Sequence, residues 1–240
     1  MRGIRVFHAE PLTDDASFTL APGAARHLVR VLRLRAGARF TVFDGSGREW
    51  PAELVDEKGD ARTGVGAAVD RESPLPVTLV QGVSKGERMD IAVQKAVELG
   101  AVAIWPVIAE RSVVQLDAQR AARRVAHWQG IAVAACEQCG RNLVPRVHEP
   151  MPFADWLAAN ELPTLVLEPG ANATLADAAV QPGAGVALLV GPEGGFSESE
   201  LAAARAAGCT AVRLGPRVLR TETAGIAMLA ALQALYGDYR

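Results

Sequence analysis

The chain has 240 residues, half of them hydrophobic, which is enough for a sizeable core in one or two domains. Its formal net charge of −2 excludes a uniformly basic nucleic-acid binder, and three cysteines, an odd number, fit a reducing compartment better than a disulfide framework. No apolar run reaches the roughly 18 residues of a membrane span. The opening MRGIRVFHAE is too charged for a secretory signal, so the expectation is a cytoplasmic protein with no membrane partner.

The first 70 residues read as short strands. Residues 40–43 and 49–55 flank Asp44-Gly45-Ser46-Gly47, whose residue types tolerate positive φ, so a hairpin is expected. Residues 62–69 read as another strand. One helix, over 24–34, interrupts them. It carries Leu28, Val31 and Leu32 on one side and Arg26, Arg30 and Arg33 at i, i+4 and i+7 on another. Small strands around a helix suggest a compact barrel. Residues 71–76, with two prolines and two charges, form the expected linker, which places one domain at 1–72 and a second at 73–240.

After the linker the period changes. Strands are predicted at 77–81, 101–108, 164–167, 185–190 and 210–213. Helices are predicted at 89–99, 118–139, 152–160, 198–207 and 221–236. Strands alternating with helices argue an α/β domain with a mainly parallel sheet.

The charge is unevenly placed. From Gly23 to Arg48 six arginines stand against one acid, Asp44, and from Arg111 to Arg146 six more stand against Asp117 and Glu137. Phosphate contacts need local positive charge and no particular overall pI. On the long helix Arg120, Arg123, Arg124 and His127 fall at i, i+3, i+4 and i+7, one stripe suited to phosphates, although each arginine alone also fits a solvated surface.

Three segments follow apolar strands and sit where an α/β sheet binds ligands. In GPEGGFSESE (191–200) three glycines allow close backbone approach, and Ser197 with Glu200 fits a capping box. Its alternatives are a ligand-binding turn and a plain strand–helix turn. LGPRVLRTETA (214–224) offers Thr221 as N-cap and Glu222 in the first turn, beside two arginines. LEPG (167–170) is a third strand end. Cys136-Glu137-Gln138-Cys139 has the C-x-x-C form but lies late in a predicted helix, with no second ligand pair, so no metal or redox motif is expected.

Together GPEGGFSESE, LGPRVLRTETA and LEPG resemble the C-terminal signature of the RsmE-type small-subunit ribosomal RNA (uridine-N3) methyltransferases of the SPOUT superfamily. The segments 84–90, 95–100 and 137–141 extend the resemblance over most of the chain. It implies a PUA-like β-barrel first and a SPOUT α/β domain with a trefoil knot second. It also implies S-adenosyl-L-methionine as cofactor, ribosomal RNA or the small ribosomal subunit as substrate, with a uridine of the decoding region as target, and a homodimer. Cofactor contacts then fall to Leu167, Glu168, Gly191, Glu193, Gly194, Gly195, Leu214, Gly215, Leu219 and Ala224. Catalytic roles fall to Arg220, which would stabilise charge on the uracil carbonyls, and to Glu222 or Glu193 as proton acceptor. RNA binding falls to Arg26, Arg30, Arg33, Lys85, Arg88, Arg120, Arg123, Arg124 and Arg141. The competing readings are a ribose 2′-O methyltransferase of the same superfamily, a non-catalytic RNA-binding assembly factor, and a phosphate-binding regulator.

Overall fold

The computed structural model describes residues 3–114, 117–181 and 183–239. The chain divides into two units. One holds the chain through Glu72 together with Cys136–Val144; the other holds Ser73–Ala135 and the chain from Pro145 onward.

The first unit contains β1 (Arg5–Phe7), β2 (Ser17–Thr19), α1 (Pro22–Arg26), β3 (Arg39–Phe43), β4 (Arg48–Leu54), β5 (Asp60–Thr63) and β6 (Ala67–Ala68). Its hydrogen-bonded order is β1-β3-β4-β5-β2, with β6 on β4; β1 runs parallel to β3 and the other pairs are antiparallel. Alternation along β3 and β4 sends Phe40, Val42, Trp50, Ala52 and Leu54 into one core with Val6 and Leu28. The hairpin turn is built as its residues predict. The Asp44 carboxylate accepts from the Ser46 N–H at 3.0 Å, and Gly45 and Gly47 take φ of 88° and 87°.

Three expectations need correction here. The helix over 24–34 begins at Pro22, slips into a π turn at His27–Val31 and ends before Arg33, which has φ 58°. Leu28 is buried, but Val31 and Leu32 are exposed, so the apolar side is one residue wide and Arg33 leaves the helical stripe of Arg26 and Arg30. The strand over 62–69 breaks at 64–66 because a Cβ on Gly66 would lie 2.2 Å from Trp50 Nε1; the bare backbone packs on the indole. Residues 136–144, placed in the second domain by sequence, belong to the first unit. There Arg141 is 4% exposed and its guanidinium pairs with Glu72. It is held in a largely buried ion pair and presents almost no surface to an RNA phosphate.

The second unit carries β7 (Val77–Gly82), α2 (Glu87–Glu98), β8 (Ala101–Ile108), α3 (Ala118–Cys139, its last turn in the first unit), β9 (Arg146–Val147) and β10 (Met151–Pro152). It continues with α4 (Phe153–Ala159), β11 (Thr164–Leu167), β12 (Val186–Val190), α5 (Glu198–Ala206), β13 (Thr210–Val212) and α6 (Thr221–Tyr236). The sheet order is β10-β8-β7-β12-β11-β13, with β9 on β8, and every pairing is parallel. The central strands β7 and β12 are buried along their whole length, as continuous apolar runs in a covered parallel sheet should be. The expected linker is also partly interior, with Ser73 and Leu75 buried.

Parallel order brings the C-terminal ends of β7, β11, β12 and β13 to one edge. From that edge α6 returns to pack on α2, β12 and β7. Gly225 permits this approach, since a Cβ there would already touch Leu79 and Val190 at 3.6 Å.

Candidate active site

Three loops converge at the strand ends: 168–174 after β11, 191–196 after β12 and 213–220 after β13. Between them lies a cavity of about 720 Å³, within the size range of small-molecule sites. Its wall includes Leu167, Glu168, Gly191, Glu193, Gly194, Gly195, Leu214, Gly215, Leu219 and Ala224, together with Arg220 and Glu222. The three sequence motifs therefore form one cavity.

The glycine turn owes its shape to specific contacts. Gly195 has φ 68° and open space where a Cβ would stand, and Gly215 has φ 66° and the same open space. Gly191 is confined, since a Cβ there would lie 3.2 Å from Gly195 Cα, and a Cβ on Gly194 would lie 2.9 Å from Arg111 Cβ. The capping box forms as predicted. The Ser197 hydroxyl accepts from the Glu200 N–H, and the Glu200 carboxylate accepts from the Ser197 N–H at 2.8 Å. The second oxygen of Glu200, a buried residue, takes the Glu110 N–H at 2.9 Å and ties the turn to the end of β8.

Thr221 does not cap α6 as expected. Arg220 occupies the cap position, and Thr221 serves a relay. Gln81 Nε2 donates to Thr221 Oγ1 at 2.8 Å, and that hydroxyl donates to Gly191 O at 2.5 Å. The start of α6 is thus pinned to the end of β7 and to the glycine turn. Arg213 performs a similar task opposite: its Nη1 donates to the carbonyls of Ala171 and Asn172, each at 2.8 Å, and shapes the loop after β11.

The two candidate bases differ. Glu193 Oε1 accepts from the Lys85 backbone N–H at 2.9 Å and from Arg88 Nη1 at 2.7 Å. Burial pushes its carboxyl up, but these donors outweigh that and hold it below the ordinary carboxylate value. A carboxylate held in its charged form by an ion pair and a backbone donor is a weaker general base, so the contacts of Glu193 fit tethering better than proton acceptance. Glu222 stands in the first turn of α6, where a carboxylate suits the helix dipole. Glu222 lines the cavity, and its Oε2 is buried with no hydrogen-bond partner. Glu168 faces the exposed Arg205 at 3.3 Å.

A second cavity, an open groove, is lined by Lys85, Val113, Val114, Arg120, Arg123, Arg124 and His127. The helical stripe read from sequence forms its cationic wall. Asp117 faces Arg120 at 3.3 Å and Asp90 faces His127 at 3.0 Å. In the first unit Arg26, Arg30 and Arg33 are exposed. Among the described residues no cluster of three metal-ligating side chains occurs, and no helix is long and apolar enough to cross a membrane. Cys136 is buried, and that burial pushes its thiol up to about 12.

The sequence matches the family described as "RNA methyltransferase domain" over residues 71–233 and the "RNA methyltransferase PUA domain" over 20–61. It is 32% identical to the ribosomal RNA small subunit methyltransferase E of Buchnera aphidicola (subsp. Schizaphis graminum), covering 98% of this chain and 97% of that one. The Bacillus subtilis protein of the same name is 31% identical over 95% of this chain and 96% of its own length. This chain belongs to the ribosomal RNA small subunit methyltransferase E family. A methyltransferase E from Neisseria gonorrhoeae, crystallised with bound S-adenosyl methionine, superposes with a TM-score of 0.91 at 40% identity, covering both chains in full. A Legionella pneumophila protein solved in complex with the cofactor SAM gives 0.95 at 40% identity, covering 99% of this chain and all of that one.

Several residues that shape the cavity were not legible in sequence. Gln81, Gly82 and Arg213 lie outside the glycine and arginine signals that drew attention. Gln81, a polar residue near the end of a mostly apolar run, was the one visible hint. Arg111 and Arg217, also on the wall, were read only as part of a general basic character or of the Gly-Pro turn.

Proposed function

We propose that the chain binds S-adenosyl-L-methionine in the 720 Å³ cavity and methylates N3 of a uridine in small-subunit ribosomal RNA. The observation that carries this reading is a glycine-walled cavity whose lining also includes Arg220 and Glu222, a carboxylate with one unpartnered oxygen. The open space at Gly195 and Gly215 lets backbone N–H and C=O groups face a ligand without a side chain between, which suits adenine and ribose. Leu167, Glu168, Gly191, Gly194, Gly195, Leu214, Gly215, Leu219 and Ala224 would hold the cofactor, which supplies an electrophilic methyl group.

Uridine N3 carries a proton at neutral pH and must lose it to act as a nucleophile. Glu222 accepts that proton. Arg220 keeps its own proton and places a cation where negative charge develops on the uracil carbonyls. The groove of Lys85, Arg120, Arg123 and Arg124 grips RNA phosphates, with Arg26, Arg30 and Arg33 of the PUA-type unit as a second basic face. Arg88 is bound to Glu193 and serves the cavity edge before it serves RNA. The working form is a homodimer whose partner completes the cavity mouth, and the segment between β13 and α6 threads the trefoil knot. A ribosomal RNA substrate places the work in the cytoplasm.

Incubating the protein with small ribosomal subunits and cofactor, then digesting the RNA for nucleoside mass spectrometry, should yield 3-methyluridine. A 2′-O-methylated nucleoside in its place refutes the acceptor atom. Saturable S-adenosylhomocysteine binding with no methylated product supports the non-catalytic reading.

A further inference from the structure

One carboxylate links residues of the two cavities of the second unit. Lys85 lines the cationic groove, whereas Arg88 and Glu193 line the cofactor cavity. Glu193 Oε1 holds the Lys85 N–H at 2.9 Å and the Arg88 guanidinium at 2.7 Å, so the glycine turn after β12 grips the loop that enters α2. Between them Gly86 sits at φ 65° and ψ −142°, a conformation that glycine adopts readily, and so carries the chain from Lys85 into α2. The same turn is fixed from its other side by the Thr221 hydroxyl on Gly191 O. A ligand that orders the turn therefore also orders Lys85.

We infer that Glu193 is a positioning residue that makes cofactor and RNA bind cooperatively, by joining the glycine turn to the Lys85 edge of the phosphate groove. This rests on the proposed function above, in which the cavity takes the cofactor and the groove takes RNA. A filled cavity fixes the turn, the turn holds Lys85 and Arg88 in place, and an RNA phosphodiester meets a groove wall already ordered. Linkage then requires RNA to tighten the cofactor by the same factor. Holding the loop by a charge-assisted bond gives the coupling its strength.

The test is calorimetric titration of the full chain with S-adenosylhomocysteine, with and without a saturating transcript of small-subunit ribosomal RNA. S-adenosylhomocysteine lacks the sulfonium charge, so direct attraction between ligand and RNA does not enter. The wild type should show a ratio of affinities within roughly 5- to 150-fold, the usual span of coupling between sites. In Glu193→Ala that ratio should fall to one, whatever happens to either affinity alone. Arg88→Met, which removes only the ion pair, should fall between; it decides the matter if circular dichroism shows Glu193→Ala unfolded. Both ligands binding without coupling in the wild type, or an undiminished ratio in a folded variant, overturns the inference alone. Failure of the wild type to bind RNA or S-adenosylhomocysteine overturns the proposed function and this inference together.

Discussion

A single methyl group added at Gly82 tests whether the glycine turn is the working wall of the cavity. A Cβ there would lie 2.4 Å from Pro192 N, 2.6 Å from Pro192 Cδ and 2.8 Å from Gly191 C. Ordinary contact begins at about 3.4 Å, so the two segments have to part by about 1 Å, the difference between 3.4 and 2.4 Å. None of the three atoms belongs to a flexible side chain. β7 is hydrogen-bonded to β8 on one side and β12 on the other, so the turn gives way first. Its displacement also stretches the 2.5 Å bond from Thr221 to Gly191 O, which aligns the start of α6 and hence Arg220 and Glu222. Overpacking of this kind costs about 1–3 kcal/mol of stability, which a 240-residue chain can absorb. A misplacement of about 1 Å at a reacting site costs roughly 10²-fold in rate. Gly82→Ala should therefore remain folded while kcat/KM falls roughly 10²-fold and S-adenosylhomocysteine binds more weakly. The assay is single-turnover methylation of small subunits beside calorimetry and circular dichroism. A folded Gly82→Ala with wild-type kinetics and wild-type affinity would refute the reasoning.

Glu222→Gln keeps the shape of the side chain and removes its capacity to take a proton. It should lower single-turnover methylation by roughly 10²- to 10⁴-fold and leave S-adenosylhomocysteine bound; an unchanged rate places the base elsewhere. Arg141→Ala leaves the half-buried Glu72 without its partner and should cost at most about 3–5 kcal/mol in urea unfolding of the first unit, with RNA affinity of the folded protein retained; lost RNA affinity at unchanged stability would reverse that assignment. Glu49 pairs with Arg5 at 2.6 Å and Arg71 at 2.9 Å. Burial raises its carboxyl, but hydrogen bonds from Arg71, Arg5 and Asn142 outweigh this and bring it to about 2, below its ordinary 4.5. The folded value is the lower one, so its stabilisation is complete above about 4.5 and drains away as pH falls towards 2. Hydrogen exchange of β4 should show the first unit loosening over that window, and Glu49→Gln should already be loosened at neutral pH, with no further loss from this source.

Legibility followed the range of the forces involved. The strand at 101–108 and the helices at 118–139 and 221–236 match the observed bounds because long apolar or amphipathic runs end at glycine or at turn residues. The two-residue strands β9 and β10 escaped notice because two residues carry no period. The π turn at His27–Val31 is a slip in hydrogen bonding that side-chain spacing barely records. Arg141 looked like a surface cation because its partner, Glu72, stands 69 positions away. Glu193 looked like a base for the same reason: the donors that occupy it come from residues 85 and 88.

The amino-acid sequence by itself determined the alternation of strand and helix, the parallel sheet, the three loops at strand ends and the arginine stripe of α3. All of these rest on local pattern, turn chemistry and motif, which a chain carries wherever it folds. Only the tertiary structure decided which charges are spent. It buried Arg141 on Glu72, tied Glu193 to Lys85 and Arg88, turned Thr221 from a cap into a relay and left Glu222 Oε2 without a partner. A charged or polar group takes its role from the donors and acceptors the fold sets within about 3 Å of it, and those come from distant parts of the chain.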